Sequence, residues 1–174
     1  MLDKVEASFW TMSGTIEIPA RAEQVWDAIA SLGSLESCHP FVKANPVEVW
    51  PGAGVRDAVY YYYSGLVYYR EFYAWEDGVG YDLMIGRKDR LSNKVLWRIH
   101  ACSENKSELT ITVCPQGIQG WKKLAYCVPF LVYYRPLIHK YLRSVVSGYK
   151  YFLTTGRPVP RNHFGALTPY SPAV

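Results

Sequence analysis

Two acid–base pairs flank an aromatic hairpin in the middle of the chain. Arg56 and Glu71 share one face of that hairpin, and Asp57 and Arg70 share the other, each within diagonal reach of its partner. In an apolar pocket an arginine can anchor an anion or a carbonyl oxygen, and a desolvated carboxyl group can act as a proton shuttle. The alternative is a buried ion pair that only sets the register of the strands. Which role applies depends on which pair the fold places inside.

The hairpin between these pairs is rich in aromatic rings. The stretch from Val59 to Trp75 contains seven tyrosines, one phenylalanine and one tryptophan. With a two-residue turn at Ser64-Gly65 the hairpin has two faces, and each carries too many rings for a face open to water. One face holds Arg56, Ala58, Tyr60, Tyr62, Val67, Tyr69, Glu71, Tyr73 and Trp75, and the other holds Asp57, Val59, Tyr61, Tyr63, Leu66, Tyr68, Arg70 and Phe72. The pattern alone leaves open which face points inward.

The elements that position the hairpin follow an α+β order. Alternating residues predict a first strand in 4–18, and a helical pattern follows in 20–33 with Trp26 on its apolar face. Turn signals rich in glycine, proline and aspartate then divide residues 42–115 into six strands of one antiparallel meander.

A long helix near the C-terminus completes this order. Its apolar face includes Val145 and Tyr149, and Gly156 ends it. We expect one domain in residues 1–156 and an extended, proline-rich tail in 157–174. A sheet with one apolar face buries that face most simply by curling around such a helix, and a gap between the two would form a ligand cavity.

The composition excludes several classes of function. The chain has 174 residues, a net charge of +4 and basic residues scattered along its length, so no nucleic-acid surface is predicted. Its four cysteines form no Cys-x-x-Cys pair and have no histidine at ligand spacing, which indicates reduced thiols of a cytoplasmic protein and no metal site. No motif implies a cofactor, and no apolar run is long enough to span a bilayer.

Several short motifs occur in the order typical of a known superfamily. They are "IPARAEQVWDAIASLGSLESCHPFV", "GAGVRDA", "SGL", "YREF" and "YLRSVVSGYKYFLTTG". Together they resemble the polyketide cyclase/START-like (SRPBCC) superfamily, which includes the birch-pollen allergen and the abscisic acid receptors, over roughly residues 10–156. The resemblance implies a helix-grip fold, in which a curved seven-stranded antiparallel sheet surrounds a long C-terminal helix.

A finer resemblance, to the receptor branch, implies particular site residues. Lys43 lies where those receptors hold a ligand carboxylate, Ser64-Gly65-Leu66 where they carry a gate, and Asp89 to Asn93 where they carry a latch. Arg56 and Glu71 match residues of that branch that face the cavity, so the resemblance places their face of the hairpin inside. The ligand-binding residues expected on this basis are Lys43, Arg56, Tyr60, Tyr62, Tyr69, Glu71, Trp26, Val145 and Tyr149.

Three functions remain open at this point. The first is binding or transport of an aromatic, polyketide-like or lipid molecule in a cavity of about 300 Å³ or more. The second is a cyclase, dehydratase or lyase activity with Glu71 as acid/base and Arg56 holding an oxyanion. The third is contact with a membrane or a partner through the apolar segment 117–137. The oligomeric state is not predicted.

Overall fold

Seven antiparallel strands form one sheet that curls around a long C-terminal helix. The structure is a computed structural model that describes residues 1–4, 8–47, 50–62, 65–116 and 127–173. The strands are β1 (Met12–Ile18), β2 (Val42–Ala44), β3 (Arg56–Tyr61), β4 (Val67–Glu76), β5 (Gly80–Arg87), β6 (Arg90–Ser103) and β7 (Lys106–Pro115). Their order in the sheet is β1-β7-β6-β5-β4-β3-β2, so β2 to β7 form a meander and β1 pairs with its last strand. The predicted α+β helix-grip fold with seven strands is confirmed.

Three α-helices with defined bounds accompany the sheet in the described part of the chain. They are α1 (Ala22–Ile29), α2 (Ser34–Cys38) and α3 (Arg135–Thr155), and a π-helical turn (Phe130–Tyr134) runs directly into α3. Gly156 ends α3 with a φ of 66°, a left-handed conformation that glycine adopts without steric cost. None of the helices in the described part of the chain is long and apolar enough to cross a membrane.

The first strand begins later than the sequence predicts. Alternation favoured a strand over residues 4–18, but β1 begins at Met12. Asp3 instead lies on the outer face of the sheet, where its backbone N–H donates to Asp82 Oδ2 at 2.7 Å and its carboxylate accepts from Lys94 Nζ at 2.6 Å. Asp82 is fully buried and also pairs with Arg98 at 2.5 Å. The polar N-terminal residues therefore satisfy charges on the sheet instead of extending it.

The aromatic hairpin has a longer turn than predicted. Tyr60 lies opposite Val67, whereas a two-residue turn would place it opposite Tyr69. The two acid–base pairs are therefore directly opposite, Arg56 with Glu71 and Asp57 with Arg70. Because the register differs by two residues and side chains alternate with period two, the paired residues 56–60 and 67–71 keep their predicted faces despite the wrong turn.

A β-bulge interrupts the alternation at the end of the hairpin. Phe72 lies opposite Leu83 and Ala74 lies opposite Asp82, so Tyr73 is the extra residue on its strand. After the bulge Trp75 points inward, where its ring stacks on Tyr81 with centroids 5.2 Å apart. The prediction that Trp75 shares the face of Arg56 is therefore wrong, because a bulge reverses the side-chain direction.

Two glycines allow α3 to approach its neighbours closely. A Cβ at Gly14 on β1 would lie 2.7 Å from Leu142 Cβ, and a Cβ at Gly148 would lie 2.0 Å from the carbonyl oxygen of Cys38 on α2. The missing side chain of Gly148 therefore lets α3 pack directly on α2.

The C-terminal tail packs against the domain. Residues 157–173 form no helix or strand, but the Val159 N–H donates to Ser37 O at 2.9 Å and the Asn162 N–H donates to Pro40 O at 3.0 Å. Tyr170 is buried within the main hydrophobic core. The described residues after Gly156 thus pack against the domain that the sequence assigned to residues 1–156.

Gly148→Ala tests the close packing of α3 on α2. The added methyl group would collide with a backbone carbonyl, and we expect the free energy of unfolding to fall by roughly 1–3 kcal/mol despite the higher helix propensity of alanine. Urea denaturation measures this difference. Ser147→Ala, one position earlier, is the control and should change stability by about 0.5 kcal/mol or less. Equal stability of Gly148→Ala and the parent would show that the two helices are not in this contact.

Candidate ligand cavity

A cavity of about 310 Å³ lies between the inner face of the sheet and α3. Its size agrees with the predicted cavity of about 300 Å³ or more. Apolar side chains form most of its wall, among them Val59, Leu83, Ile85, Val95, Ile111 and Val145. The far end of the same inner face holds no such space, because rings of Phe72, Trp75 and Tyr81 fill it. The sheet and helix therefore enclose a solid aromatic half and a hollow half.

A buried ion pair forms one corner of the hollow half. Arg70 lines the cavity, and its Nε donates to Asp57 Oδ1 at 2.7 Å while its Nη2 donates to Asp57 Oδ2. The side chains of Arg70 and Asp57 are 5% and 0% exposed. Asn45 Nδ2 donates to the same Oδ2 at 3.0 Å, so residues of two chain segments hold the carboxylate. A bidentate pair with a further hydrogen bond is the geometry that compensates the cost of burying two charges.

The pair remains ionised because each charge balances the other. Burial opposes the positive charge of Arg70, but the charge and hydrogen bonds of Asp57 outweigh burial and raise the pKa of Arg70 above its ordinary value. The guanidinium is thus a permanent cation, and Asp57 takes up two of its five N–H donors. The pair as a whole adds no net charge to the cavity.

Three further polar side chains form a hydrogen-bonded chain along the same corner. His39 Nε2 lies 2.9 Å from the hydroxyl of Tyr141, and that hydroxyl lies 2.8 Å from the hydroxyl of Tyr61. His39 Nδ1 accepts from the backbone N–H of Phe41 at 3.2 Å. His39 follows α2, Tyr61 ends β3 and Tyr141 lies on α3, so these hydrogen bonds join three elements at the cavity wall.

Burial keeps these three groups uncharged. It lowers the pKa of His39 to about 3, with the positive charge of Arg70 as a second cause. It also raises the pKa values of Tyr61 and Tyr141 well above their ordinary value. At neutral pH the corner therefore contains a neutral imidazole and two protonated phenols.

The cavity meets solvent between the π-helical turn and the tail. Tyr133 and Pro169 both line the cavity and are exposed. Tyr170 is buried beside them, with its ring centroid 4.5 Å from that of Tyr141 and 5.3 Å from that of Tyr61. The tail thus supplies part of the wall that the sequence assigned to the sheet and helix alone.

The hairpin face that was expected to line the cavity, the one with Arg56 and Glu71, is the outer face of the sheet. Arg56 and Glu71 form an ion pair of 2.8 Å, but their side chains are 68% and 39% exposed. Tyr60 is exposed and Tyr69 is half-buried on the same outer face. The prediction that this face lines the cavity is wrong, because Val59 and Phe72 on the opposite face are the residues that complete the hydrophobic core. Glu71 therefore has no access to a ligand in the cavity.

The other expected site residues have mixed positions. Val145 lines the cavity as predicted, and Tyr149 is buried but contacts Ser34 at 3.3 Å instead of lining it. Lys43 is exposed, because its neighbour Val42 takes the inward position on β2. Two more residues contact other side chains: Trp26 packs on Trp75 in the solid half, and Tyr62 lies under the guanidinium of Arg161.

Sequence reasoning missed the polar corner of the cavity, although a signal for the Asp57–Arg70 pair was present. Asp57 and Arg70 were recognised as a pair but were placed on the wrong face of the hairpin. Their face carries the large apolar residues Val59, Leu66 and Phe72, whereas the other face has only Ala58 and Val67 as side chains without a polar atom. No local pattern could indicate that His39 contacts Tyr141, which lies 102 positions further along the chain. Tyr61 and Tyr170 likewise meet through long-range contacts.

The expected gate, latch and contact segment are only partly within the described residues. Of the gate, Ser64 lies outside them and Leu66 packs against the core, while Asn93 of the latch lines the cavity. Of segment 117–137, residues 117–126 lie outside the described part, and Val128, Val132 and Tyr133 are exposed. Contact of this segment with a membrane or a partner stays a prediction. The described residues contain no group of three or more potential metal ligands.

This architecture defines a class of protein. A sheet curled around a C-terminal helix over an apolar cavity is the START-like helix-grip fold. No family model and no curated protein matches the sequence. The resemblance to the superfamily is confirmed by solved structures, at the level of the fold.

Three of these structures illustrate the similarity. A START superfamily protein from Mycobacterium smegmatis has a TM-score of 0.63 and 13% identity over 83% of this chain and 97% of its own. DynU16, from the dynemicin biosynthetic locus, has a TM-score of 0.61 and 15% identity over 87% of this chain, which spans 49% of DynU16. Ara h 8.0201 has a TM-score of 0.54 and 12% identity over 83% of this chain and 97% of its own. Identities this low show a shared fold and leave the ligand open.

Asp57→Asn compared with Glu71→Gln tests which ion pair lies inside. Asp57→Asn leaves the buried guanidinium of Arg70 without its counter-charge, and we expect a loss of about 3–5 kcal/mol in the free energy of unfolding. Glu71→Gln breaks an exposed pair and should cost about 1 kcal/mol or less. Chemical denaturation of both variants measures the two losses. A larger loss for Glu71→Gln would contradict the assignment of the inner face.

The buried His39 predicts a pH dependence of stability. An unfolded chain protonates histidine near pH 6.5, whereas folded His39 resists protonation down to about pH 3. Between these values the unfolded state binds the extra proton, so stability falls as the pH decreases, by up to about 1.4 kcal/mol per pH unit.

Denaturation at pH 7, 6, 5 and 4 measures this slope. His39→Asn keeps an acceptor for the Phe41 N–H and should show a shallower decrease than the parent. His100→Asn, at an exposed position, is the control and should retain the full slope. Identical slopes for His39→Asn and the parent would exclude His39 as the source.

Proposed function

We propose that the protein binds a hydrophobic small molecule, aromatic or polyketide-like, in the cavity between the sheet and α3. The observation that carries this proposal is the cavity itself, about 310 Å³ of space with apolar walls and one polar corner. Binding sites for small molecules typically combine such walls with a few convergent polar groups. The polar groups of this corner are already paired with one another, so they can orient a ligand without leaving charges unbalanced.

The shape of the wall favours a compact ring system. Aromatic side chains from the sheet, α3 and the tail border the space, including Tyr61, Trp97, Tyr141 and Tyr170. Rings of this kind pack well on planar aromatic ligands. The volume is at the lower end of the range for ligand sites, roughly 300–1,000 Å³, which suits a few fused rings better than a long acyl chain. The position of DynU16 in a biosynthetic locus is compatible with such a ligand.

The chemistry of the corner favours binding over catalysis. A general acid or base works best with a pKa near the operating pH. Burial moves the pKa of His39 far below neutrality and those of Tyr61 and Tyr141 far above it. The acid/base expected from the sequence, Glu71, lies on the outer face. We therefore propose a binding or carrier protein in preference to a cyclase, dehydratase or lyase.

Binding of Prodan, a neutral naphthalene ketone whose emission depends on polarity, tests the proposal. We expect the parent protein to shift the emission of Prodan to shorter wavelength. Val59→Phe places a phenyl ring in the cavity and should weaken binding at least about tenfold, because the ring occupies the ligand's space. Native mass spectrometry of the purified protein, which detects a co-purified ligand, provides an independent measurement.

Val67→Phe is the matched control for the cavity variant. It adds the same ring to the outer face of the same hairpin and should leave Prodan affinity unchanged. Thermal melts of both variants confirm that they are folded. The proposal fails if the parent does not bind Prodan, or if Val59→Phe and Val67→Phe bind it equally well.

A further inference from the structure

The hydrogens that His39, Tyr141 and Tyr61 use in their mutual hydrogen bonds can be assigned. The Phe41 N–H donates to His39 Nδ1, so Nδ1 carries no hydrogen and the neutral imidazole carries its hydrogen on Nε2. Nε2 therefore donates to the hydroxyl of Tyr141. The two tyrosine hydroxyls share one hydrogen bond, in which either can be the donor. The tautomer with its hydrogen on Nε2 thus determines the direction of the first bond, and the second uses one hydroxyl hydrogen.

One hydroxyl hydrogen remains in either arrangement. If Tyr141 donates to Tyr61, the hydrogen of Tyr61 is left; if Tyr61 donates to Tyr141, the hydrogen of Tyr141 is left. Neither hydroxyl makes another hydrogen bond within the part of the chain that the structure describes, and both tyrosines line the cavity. A buried donor without an acceptor costs free energy, which a ligand acceptor would recover.

The electrostatics of the corner restrict the type of acceptor. Asp57 neutralises Arg70, and the imidazole and the two phenols are uncharged, so the corner has no net positive charge to balance an anion. Lys43, to which the resemblance assigned a ligand carboxylate, is exposed outside the cavity. An ionised carboxylate would therefore enter the corner without a counter-charge, and that is costly.

We infer that the ligand presents a neutral hydrogen-bond acceptor, such as a ketone, quinone or ester carbonyl oxygen, to the Tyr61–Tyr141 hydroxyls. A hydrocarbon leaves the donor unsatisfied, and a carboxylate brings an unbalanced charge. The inference rests on the proposed function and specifies the ligand class of the same cavity.

Three naphthalenes of similar size test the inference, with Kd values from displacement of Prodan at pH 7. They are 2-acetylnaphthalene with a ketone, 2-ethylnaphthalene with no acceptor, and 2-naphthoate with a carboxylate. We expect the parent to bind the ketone at least about tenfold more tightly than the carboxylate. Tighter binding of 2-naphthoate than of 2-acetylnaphthalene would overturn the inference.

Variants of the two tyrosines then locate the donor. Tyr61→Phe/Tyr141→Phe removes both hydroxyls and keeps both rings, so the Kd ratio of 2-ethylnaphthalene to 2-acetylnaphthalene should fall by roughly threefold to tenfold. Tyr61→Phe alone leaves the hydroxyl hydrogen of Tyr141 available, and the ratio should fall less. Tyr149→Phe removes a buried hydroxyl outside the cavity lining and should leave the ratio unchanged.

The outcomes separate this inference from the proposed function. If the double variant binds all three compounds with the ratio of the parent, the hydroxyls do not select the ligand and the inference is wrong, while the cavity remains a binding site. If the parent binds Prodan but none of the three compounds displaces it, the inference is wrong and the cavity remains a binding site; if the parent does not bind Prodan, both are wrong. If the double variant does not fold, the comparison of ketone and carboxylate binding to the parent still tests the inference.

Discussion

Asp57 and Arg70 carry opposite charges in a place that water does not reach, and much of the structure depends on keeping them together. They lie directly opposite each other on β3 and β4, and Asn45 from the end of β2 donates to the same carboxylate. A one-residue slip of the hairpin would turn both side chains outward and bring Arg56 and Glu71 inside. The pair therefore specifies the register and the inner face, even though its net contribution to stability is small.

The same pair determines the character of the cavity. Because Asp57 balances Arg70 from within the wall, the guanidinium adds hydrogen-bond donors but no net charge. Burial, with the charge of Arg70 as a second cause, keeps the neighbouring His39 neutral, and the Phe41 N–H on Nδ1 leaves the imidazole hydrogen on Nε2, facing Tyr141. An exposed basic residue at the mouth would have favoured an acid, whereas this corner favours an uncharged polar atom. Selectivity for a ligand can thus arise from how an ion pair is buried.

Closure of the hollow half requires parts of the chain that are distant in sequence. The inner face supplies Tyr61, α3 supplies Tyr141, and the tail supplies Tyr170, whose ring contacts both. Gly14 and Gly148 bring α3 close to β1 and α2, so the helix packs tightly along much of its length. The remaining space is confined to one end of the sheet, where smaller aliphatic side chains replace the rings of the solid half.

The order of strands and helices and the end of α3 at Gly156 follow from the sequence, because alternation, helical periodicity and turn residues are local properties. The division of the hairpin into two faces is local as well. The identity of the buried face is not a local property, because both faces carry rings and an acid–base pair. The periodicity of the sequence is the same for either orientation. Three tertiary features determine the buried face: the hydrogen bond of Asn45 to Asp57, the bulge at Tyr73 and the packing of Phe72 in the core. The site followed that choice, since His39, Tyr61, Tyr141 and Tyr170 become neighbours only after the sheet has curled around α3 and the tail has folded back.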